Sequence, residues 1–140
     1  QLRIASGEPL RFRQKDIQIR GHAIECRINA EHPFKFTHSP GVITGYHLPG
    51  GPGVRVDSAV CEQATVQPYY DSMVAKLIVR AADRPGAIRK MKQALQESVV
   101  EGITTNLPLH RELIASDAFR DLTFHTRYID SWLLQRDEGR

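Results

Sequence analysis

His22-Ala23-Ile24-Glu25-Cys26-Arg27-Ile28-Asn29-Ala30 alternates along its whole length. Ile24, Cys26, Ile28 and Ala30 fall on one side; Ala23, Glu25, Arg27 and Asn29 fall on the other. A period of two predicts a β-strand with one apolar and one polar face. Met73 to Ala81 repeats the pattern and predicts a second strand, with Met73, Ala75, Leu77 and Val79 on one side. Between them, Pro40 to Gly53 holds eight Gly or Pro residues in fourteen positions. Two short strands are legible there, Val42 to Leu48 and Val54 to Asp57. Pro49-Gly50-Gly51-Pro52-Gly53 joins them as a turn or hairpin loop, because glycine supplies the positive φ that such turns need. Thr65-Val66 predicts one more short strand.

The second half of the chain changes period. Asp83 is placed to cap a helix that opens at Arg84-Pro85. Ala87, Ile88, Met91, Ala94, Leu95, Ser98 and Val99 follow at three- and four-residue spacing, which is an amphipathic helix ended by Gly102. Ile103-Thr104 reads as a short strand. Asn106 caps a helix running to about Ser116, and a turn follows around Asp117-Ala118-Phe119. Thr126 to about Leu134 is the last predicted helix, burying Tyr128, Ile129, Trp132 and Leu133. Residues 135–140 read as a polar, frayed tail. At the other end, Leu2 to Gly7 reads as a last helical turn with a glycine cap, and Glu8 to Lys15 as a connector. Strands first and helices after predict an α+β fold: an antiparallel sheet covered by helices from the second half.

The chain has 140 residues, 41% hydrophobic and 25% charged, enough for one core and too short for two comfortable ones. It reads as a single domain over 1–140, with residues 1–18 as a lead-in. Gln1 rather than Met opens it, as expected of a piece of a longer polypeptide. No apolar run reaches the ~20 residues that span a bilayer, and nothing reads as a signal peptide, so no membrane role is expected. The formal net charge is +3, and the basic residues are dispersed, so a solvated surface is expected rather than a nucleic-acid face. Cys26 and Cys61 form no CxxC pair and are expected as two buried free thiols in a reducing compartment. The six histidines have no paired ligand spacing, and no metal site is expected. Phosphate-loop, dinucleotide, nucleophile-elbow and zinc signatures are all absent. The glycines at 50–53 precede a strand rather than a helix, which favours a structural turn over an anion cradle.

Two constellations can carry chemistry. Arg27 sits mid-strand beside Glu25 and Asn29, and its planar, permanently charged fork suits a carboxylate, a bicarbonate or a carbonyl oxygen. The alternative is an ordinary cross-strand ion pair. Tyr69-Tyr70-Asp71-Ser72 is either a site loop on a rigid strand or a packed turn in which Asp71 caps backbone N–H groups.

The segment Arg20-Gly21-His22-Ala23-Ile24-Glu25-Cys26-Arg27-Ile28-Asn29-Ala30-Glu31 resembles the start of the biotin carboxylase C-terminal domain. Ser39-Pro40-Gly41, Pro49 to Arg55, Pro68-Tyr69-Tyr70-Asp71-Ser72-Met73 and Gly102-Ile103-Thr104-Thr105-Asn106 continue the resemblance in order, over about residues 1–133. The wording of the second and third segments is most similar to the bacterial acetyl-CoA carboxylase type, a cytoplasmic, homodimeric enzyme of fatty acid biosynthesis. The resemblance implies an ATP-grasp ligase that carboxylates biotin on a carrier protein. Mg-ATP converts bicarbonate to carboxyphosphate, which releases carbon dioxide for attack by the ureido nitrogen. Biotin carboxyl carrier protein and a carboxyltransferase are the implied partners.

By the same resemblance, Arg27 holds the charge that develops on the ureido oxygen, and it is the residue the strand pattern singled out. Tyr70 and Asp71 border the same cleft. Arg55 matches a dimer-interface position, with Pro52 where a neighbouring aromatic is expected. Thr126 aligns near the adenine pocket. Glu31-His32-Pro33 resembles a catalytic motif of the central domain but stands in the wrong surroundings and receives no catalytic role. The ATP- and Mg-binding groups are expected in upstream ATP-grasp domains, so the isolated chain is expected to be inactive. The rival expectation is a non-catalytic module of the same fold, kept for dimerisation or carrier docking.

Overall fold

The computed structural model describes residues 1–138. Three strands make its centre: β1 spans His22–Asn29, β4 Val54–Ser58 and β6 Met73–Ala81. They form an antiparallel sheet in the order β1-β6-β4. The alternation read from the sequence decides which face of β1 is buried: Ile24, Cys26 and Ile28 point into the core, and Arg27 points out. β6 lies between the other two strands, and its Leu77 and Val79 are fully enclosed. Burying a side chain of that size contributes ~2 kcal/mol.

The helix α2, Arg84–Glu97, lies across β6 and β1 and closes the core. Asp83 starts it as the sequence predicts, its side chain accepting from the Gly86 N–H at 2.7 Å. Ala87, Ile88, Met91, Ala94 and Leu95 form the buried stripe. Two further antiparallel pairs flank the sheet. β2 (Gly41–Val42) pairs with β5 (Thr65–Val66), and β3 (Gly45–His47) pairs with β7 (Val99–Glu101). The helices α3 (Leu107–Ala115), α4 (Asp117–Arg120) and α5 (Tyr128–Glu138) follow, and α1 (Leu2–Ala5) stands at the start. The α+β architecture with antiparallel sheets is as the sequence predicts.

Several local expectations are corrected. The expected hairpin between Val42–Leu48 and Val54–Asp57 does not form. The first segment splits into β2 and β3, and β4 pairs with β6 instead. Met73 does not join the core. A bulge sets Asn29 opposite Met73 while Ile28 stays opposite Ala75, so Val74 takes the buried position. Val99 is not on α2. The chain turns extended at Ser98, whose hydroxyl bonds the Ala94 carbonyl, and the β-branched pair Val99-Val100 enters β7. Ile103-Thr104 is consequently a connection rather than a strand. Asp117-Ala118-Phe119 is part of one helical turn. The last helix starts at Tyr128 and runs through residues 135–138, where a frayed tail is expected; residues 139–140 lie outside the described part. Tyr128, Ile129, Trp132 and Leu133 are only half-buried.

Gly102 is where the chain crosses most tightly. Its φ is +89°, and a Cβ there would meet the Thr44 amide nitrogen at 2.8 Å and the Val42 carbonyl oxygen closer still. Gly102→Ala is therefore expected to destabilise the fold by about 3 kcal/mol or more. Urea denaturation reads this directly; a loss under about 1 kcal/mol would show that the crossing relaxes freely.

Candidate functional site

β1 is an edge strand. One side of its backbone is bonded to β6, and among the described residues the other has no strand beside it. Arg27 stands on the open face, with its side chain 67% exposed. Its Nε donates to Glu25 Oε1 at 3.2 Å, along the same strand. Directly across on β6 is Lys76, and beyond it on β4 is Asp57. The cross-strand neighbour of Arg27 is thus a cation, and the alternative of a cross-strand ion pair is not found among the described residues. A partly exposed pair such as Arg27–Glu25 contributes ~1 kcal/mol or less. The two Nη nitrogens have no hydrogen-bond partner among the described residues.

The unpaired edge of β1 is closed by the start of α3. Asn106 stands at the N-cap position as expected, but its side chain makes no cap bond to its own helix. Its Nδ2 donates to the Arg27 carbonyl at 3.0 Å, and its Oδ1 accepts from the Asn29 N–H at 2.9 Å. Its own N–H donates to the Asn29 carbonyl at 3.1 Å. His110, one turn further, places Nε2 at 2.8 Å from the same Arg27 carbonyl. A carbonyl only accepts, so Nε2 carries the proton. Burial holds His110 below the ordinary histidine pKa, against the bond to the Arg27 carbonyl, which pulls it up.

A cavity of about 270 Å³ opens beside this edge. Glu25, Cys26, His110, Phe119, Phe124 and Thr126 are among its walls. Thr126 and Glu25 therefore share one cavity, and Arg27 stands just outside it, tied to it through Glu25.

The Tyr69–Ser72 loop leads into β6 opposite the end of β1. Ser72 hydrogen-bonds Glu31, which also accepts from Asn29 Nδ2 at 3.3 Å, and the Ser72 carbonyl accepts from the Ala30 N–H at 2.7 Å. These bonds hold the loop beside β1. Asp71 itself accepts from the Met73 N–H at 2.8 Å, as in the packed-turn alternative. Tyr70 is exposed, and no hydrogen bond or ion pair joins Tyr70 or Asp71 to Arg27 among the described residues. Arg55 is exposed on the same sheet face as Arg27, paired with Asp57 at 2.9 Å, and Pro52 is exposed with its carbonyl bonded to Lys90. His32 turns its Nδ1 to the Phe34 and Lys35 N–H groups, a local turn contact. No cluster of three or more His, Cys, Asp or Glu side chains that could hold a metal occurs among the described residues. No described helix is long and apolar enough to cross a membrane.

Sequence reasoning names Ser72 within the Tyr69–Ser72 loop but does not single out Asn106, His110 or Glu31 as site residues. A polar pair four apart at a helix start, Asn106 and His110, is the available signal, since such residues share a helix face.

A family model for the biotin carboxylase C-terminal domain matches residues 25–131. The chain belongs to the biotin carboxylase C-terminal domain family. This domain is 54% identical over 133 residues to a pyruvate carboxylase subunit of Methanothermobacter thermautotrophicus, covering 94% of this chain and 27% of that protein. It is 51% identical over 133 residues to biotin carboxylase of Allochromatium vinosum, covering 95% and 30%. Among solved structures, the biotin carboxylase domain dimer of 2-oxoglutarate carboxylase from Hydrogenobacter thermophilus superimposes with a TM-score of 0.88. It is 45% identical over 93% of this chain and 29% of that one. That dimer was solved with MgADP, ADP and bicarbonate. The domain thus spans between 27% and 30% of the length of these curated relatives.

The cysteines differ from expectation and from each other. Cys26 is buried and Cys61 is exposed. Burial, and secondarily the Glu25 charge, push the Cys26 thiol up to about 12. At pH 8 the native domain is therefore expected to take one equivalent of iodoacetamide, at Cys61, and two after denaturation. Rapid native labelling of Cys26 by mass spectrometry would refute the buried strand face.

Proposed function

We propose that this domain forms one wall of the active site of an ATP-dependent ligase that carboxylates biotin on a carrier protein with bicarbonate, and that Arg27 is its catalytic residue. The observation that carries this reading is the guanidinium itself. It projects from the open face of a strand fixed from behind, with its Nη fork free of partners among the described residues. Bound biotin supplies the ureido group that takes up the carboxyl. The free fork fits that group's oxygen: two N–H donors and a permanent charge stabilise negative charge as it develops there, more in the transition state than before it. Tyr70 and Asp71 border the same approach, and Thr126 lines the neighbouring cavity as an adenine-side residue.

Magnesium and the ATP phosphates are assigned to upstream ATP-grasp domains. Residues 1–18 are read as a lead-in that packs on those domains. They are exposed throughout and carry Leu2, Ile4, Leu10, Phe12 and Ile17 without cover. Arg55, with Pro52, is assigned to a homodimer contact. The acetyl-CoA carboxylase type, with fatty acid biosynthesis and a cytoplasmic location, is favoured by the Ser39–Gly41 and Pro49–Arg55 wording. A relative named for pyruvate shares the domain equally well, and the acceptor is chosen by a carboxyltransferase.

The second reading, a dimerisation or carrier-docking module, is favoured by Arg55 on the same open face. Arg27→Ala in the full-length carboxylase separates the two. The catalytic reading expects biotin carboxylation to fall at least ~100-fold with ATP binding retained. Near-normal turnover with an altered association state would support the module. The isolated 140-residue chain is expected to show no biotin-stimulated, bicarbonate-dependent ATP cleavage. Such cleavage would contradict the assignment of ATP and magnesium to other domains.

A further inference from the structure

We infer that His110 and Asn106 are positioning residues for Arg27: the start of α3, not the sheet alone, sets where the guanidinium stands. The inference rests on the reading of Arg27 as the residue that meets biotin.

Three backbone groups near the end of β1 are bonded from outside the sheet: the Arg27 carbonyl, the Asn29 N–H and the Asn29 carbonyl. All three are taken by Asn106 and His110. Two separate side-chain donors, at 2.8 and 3.0 Å, converge on the Arg27 carbonyl. An asparagine at an N-cap ordinarily bonds its own helix. Asn106 forgoes that bond and turns both side-chain atoms on β1. His110 adds a second donor to a carbonyl that Asn106 already serves.

The consequence for Arg27 is geometric. On its own side chain it has one ion pair, to the half-exposed Glu25, and nothing at the Nη fork among the described residues. Its placement therefore depends on where the backbone holds its Cα. A shift of about 1 Å in a group that must meet a reacting atom can cost ~100-fold in rate. Clamping the carbonyl of that same residue is the shortest route from the fold to the guanidinium.

The test uses the full-length carboxylase with His110→Leu, His110→Gln, Asn106→Asp and Arg27→Ala. Leucine removes the donor and keeps the bulk, whereas glutamine restores an N–H at similar reach. Asn106→Asp keeps the acceptor for the Asn29 N–H and loses the donor to the Arg27 carbonyl. The expected result is a tenfold or greater loss of kcat for biotin carboxylation in His110→Leu and Asn106→Asp, with the KM for ATP unchanged. His110→Gln is expected to recover to within about threefold of the parent. If both losses stay within twofold while Arg27→Ala is inactive, the positioning role is wrong and the reading of Arg27 stands. If Gln is as poor as Leu, a hydrogen-bond donor is not what position 110 supplies, and the inference fails. If Arg27→Ala retains turnover, the reading of Arg27 itself fails. Should His110→Leu not fold, the Asn106→Asp and His110→Gln pair decides on the same criteria.

Discussion

The backbone of an outer strand has to find hydrogen-bond partners that no sheet neighbour provides. In this domain that constraint falls on β1, and its solution shapes everything around Arg27. Asn106 and His110 reach back across most of the chain to bond the Arg27 and Asn29 backbone. The polypeptide between them has to bring α3 to that place. α2 crosses the sheet, β7 pairs with β3, and the tight turn at Gly102 delivers Asn106 to the edge of β1. Occupying these backbone groups also makes them unavailable to a foreign strand, a hazard of any unprotected edge.

The sheet separates two kinds of work by its faces. The inner face of Ile24, Cys26, Ile28, Leu77 and Val79 is packed by α2 and supplies stability. The open face carries Glu25, Arg27, Lys76, Arg55 and Asp57, and supplies charge. Because side chains alternate, Glu25, Arg27, Lys76 and Arg55 each stand between two neighbours that pack into or against the core. Cys26 and Ile28 fix Arg27 in this way. Arg27 and Arg55 lie two strands apart on one surface, so the group read as catalytic and the group read as an interface contact share a rigid support.

Much of this is legible in the residues because the patterns are strict. The alternation of β1 tells which side Arg27 takes, and Asp83 with the stripe from Ala87 to Leu95 tells where α2 begins and what it buries. The failures have physical causes. A bulge is a property of two strands, so nothing in Met73 to Ala81 alone shows that Val74 replaces Met73 in the core. Ser98 and Val99 extend the helical spacing by coincidence, and only the hydroxyl bond of Ser98 and the partner strand β3 show that the helix has stopped. Strand pairing is likewise a tertiary fact: nothing local says that Val54–Ser58 passes over the preceding strand to join β6. At the site, the resemblance to biotin carboxylases and the strand pattern converge on Arg27. The clasp from Asn106 and His110 is invisible to spacing, because it joins residues 79 and 83 positions apart.

That separation bears on how the domain comes into being. During synthesis, β1 leaves the ribosome about fifty residues ahead of the strand it pairs with, and 79 residues separate Arg27 from Asn106. Contacts so distant along the chain close slowly, since the loop entropy is lost before any bond forms. The seat of Arg27 therefore cannot close before α3 has been made. Until α3 emerges, the nascent chain carries an open strand edge, and it is in that interval that a chaperone or an unwanted neighbour has its opportunity.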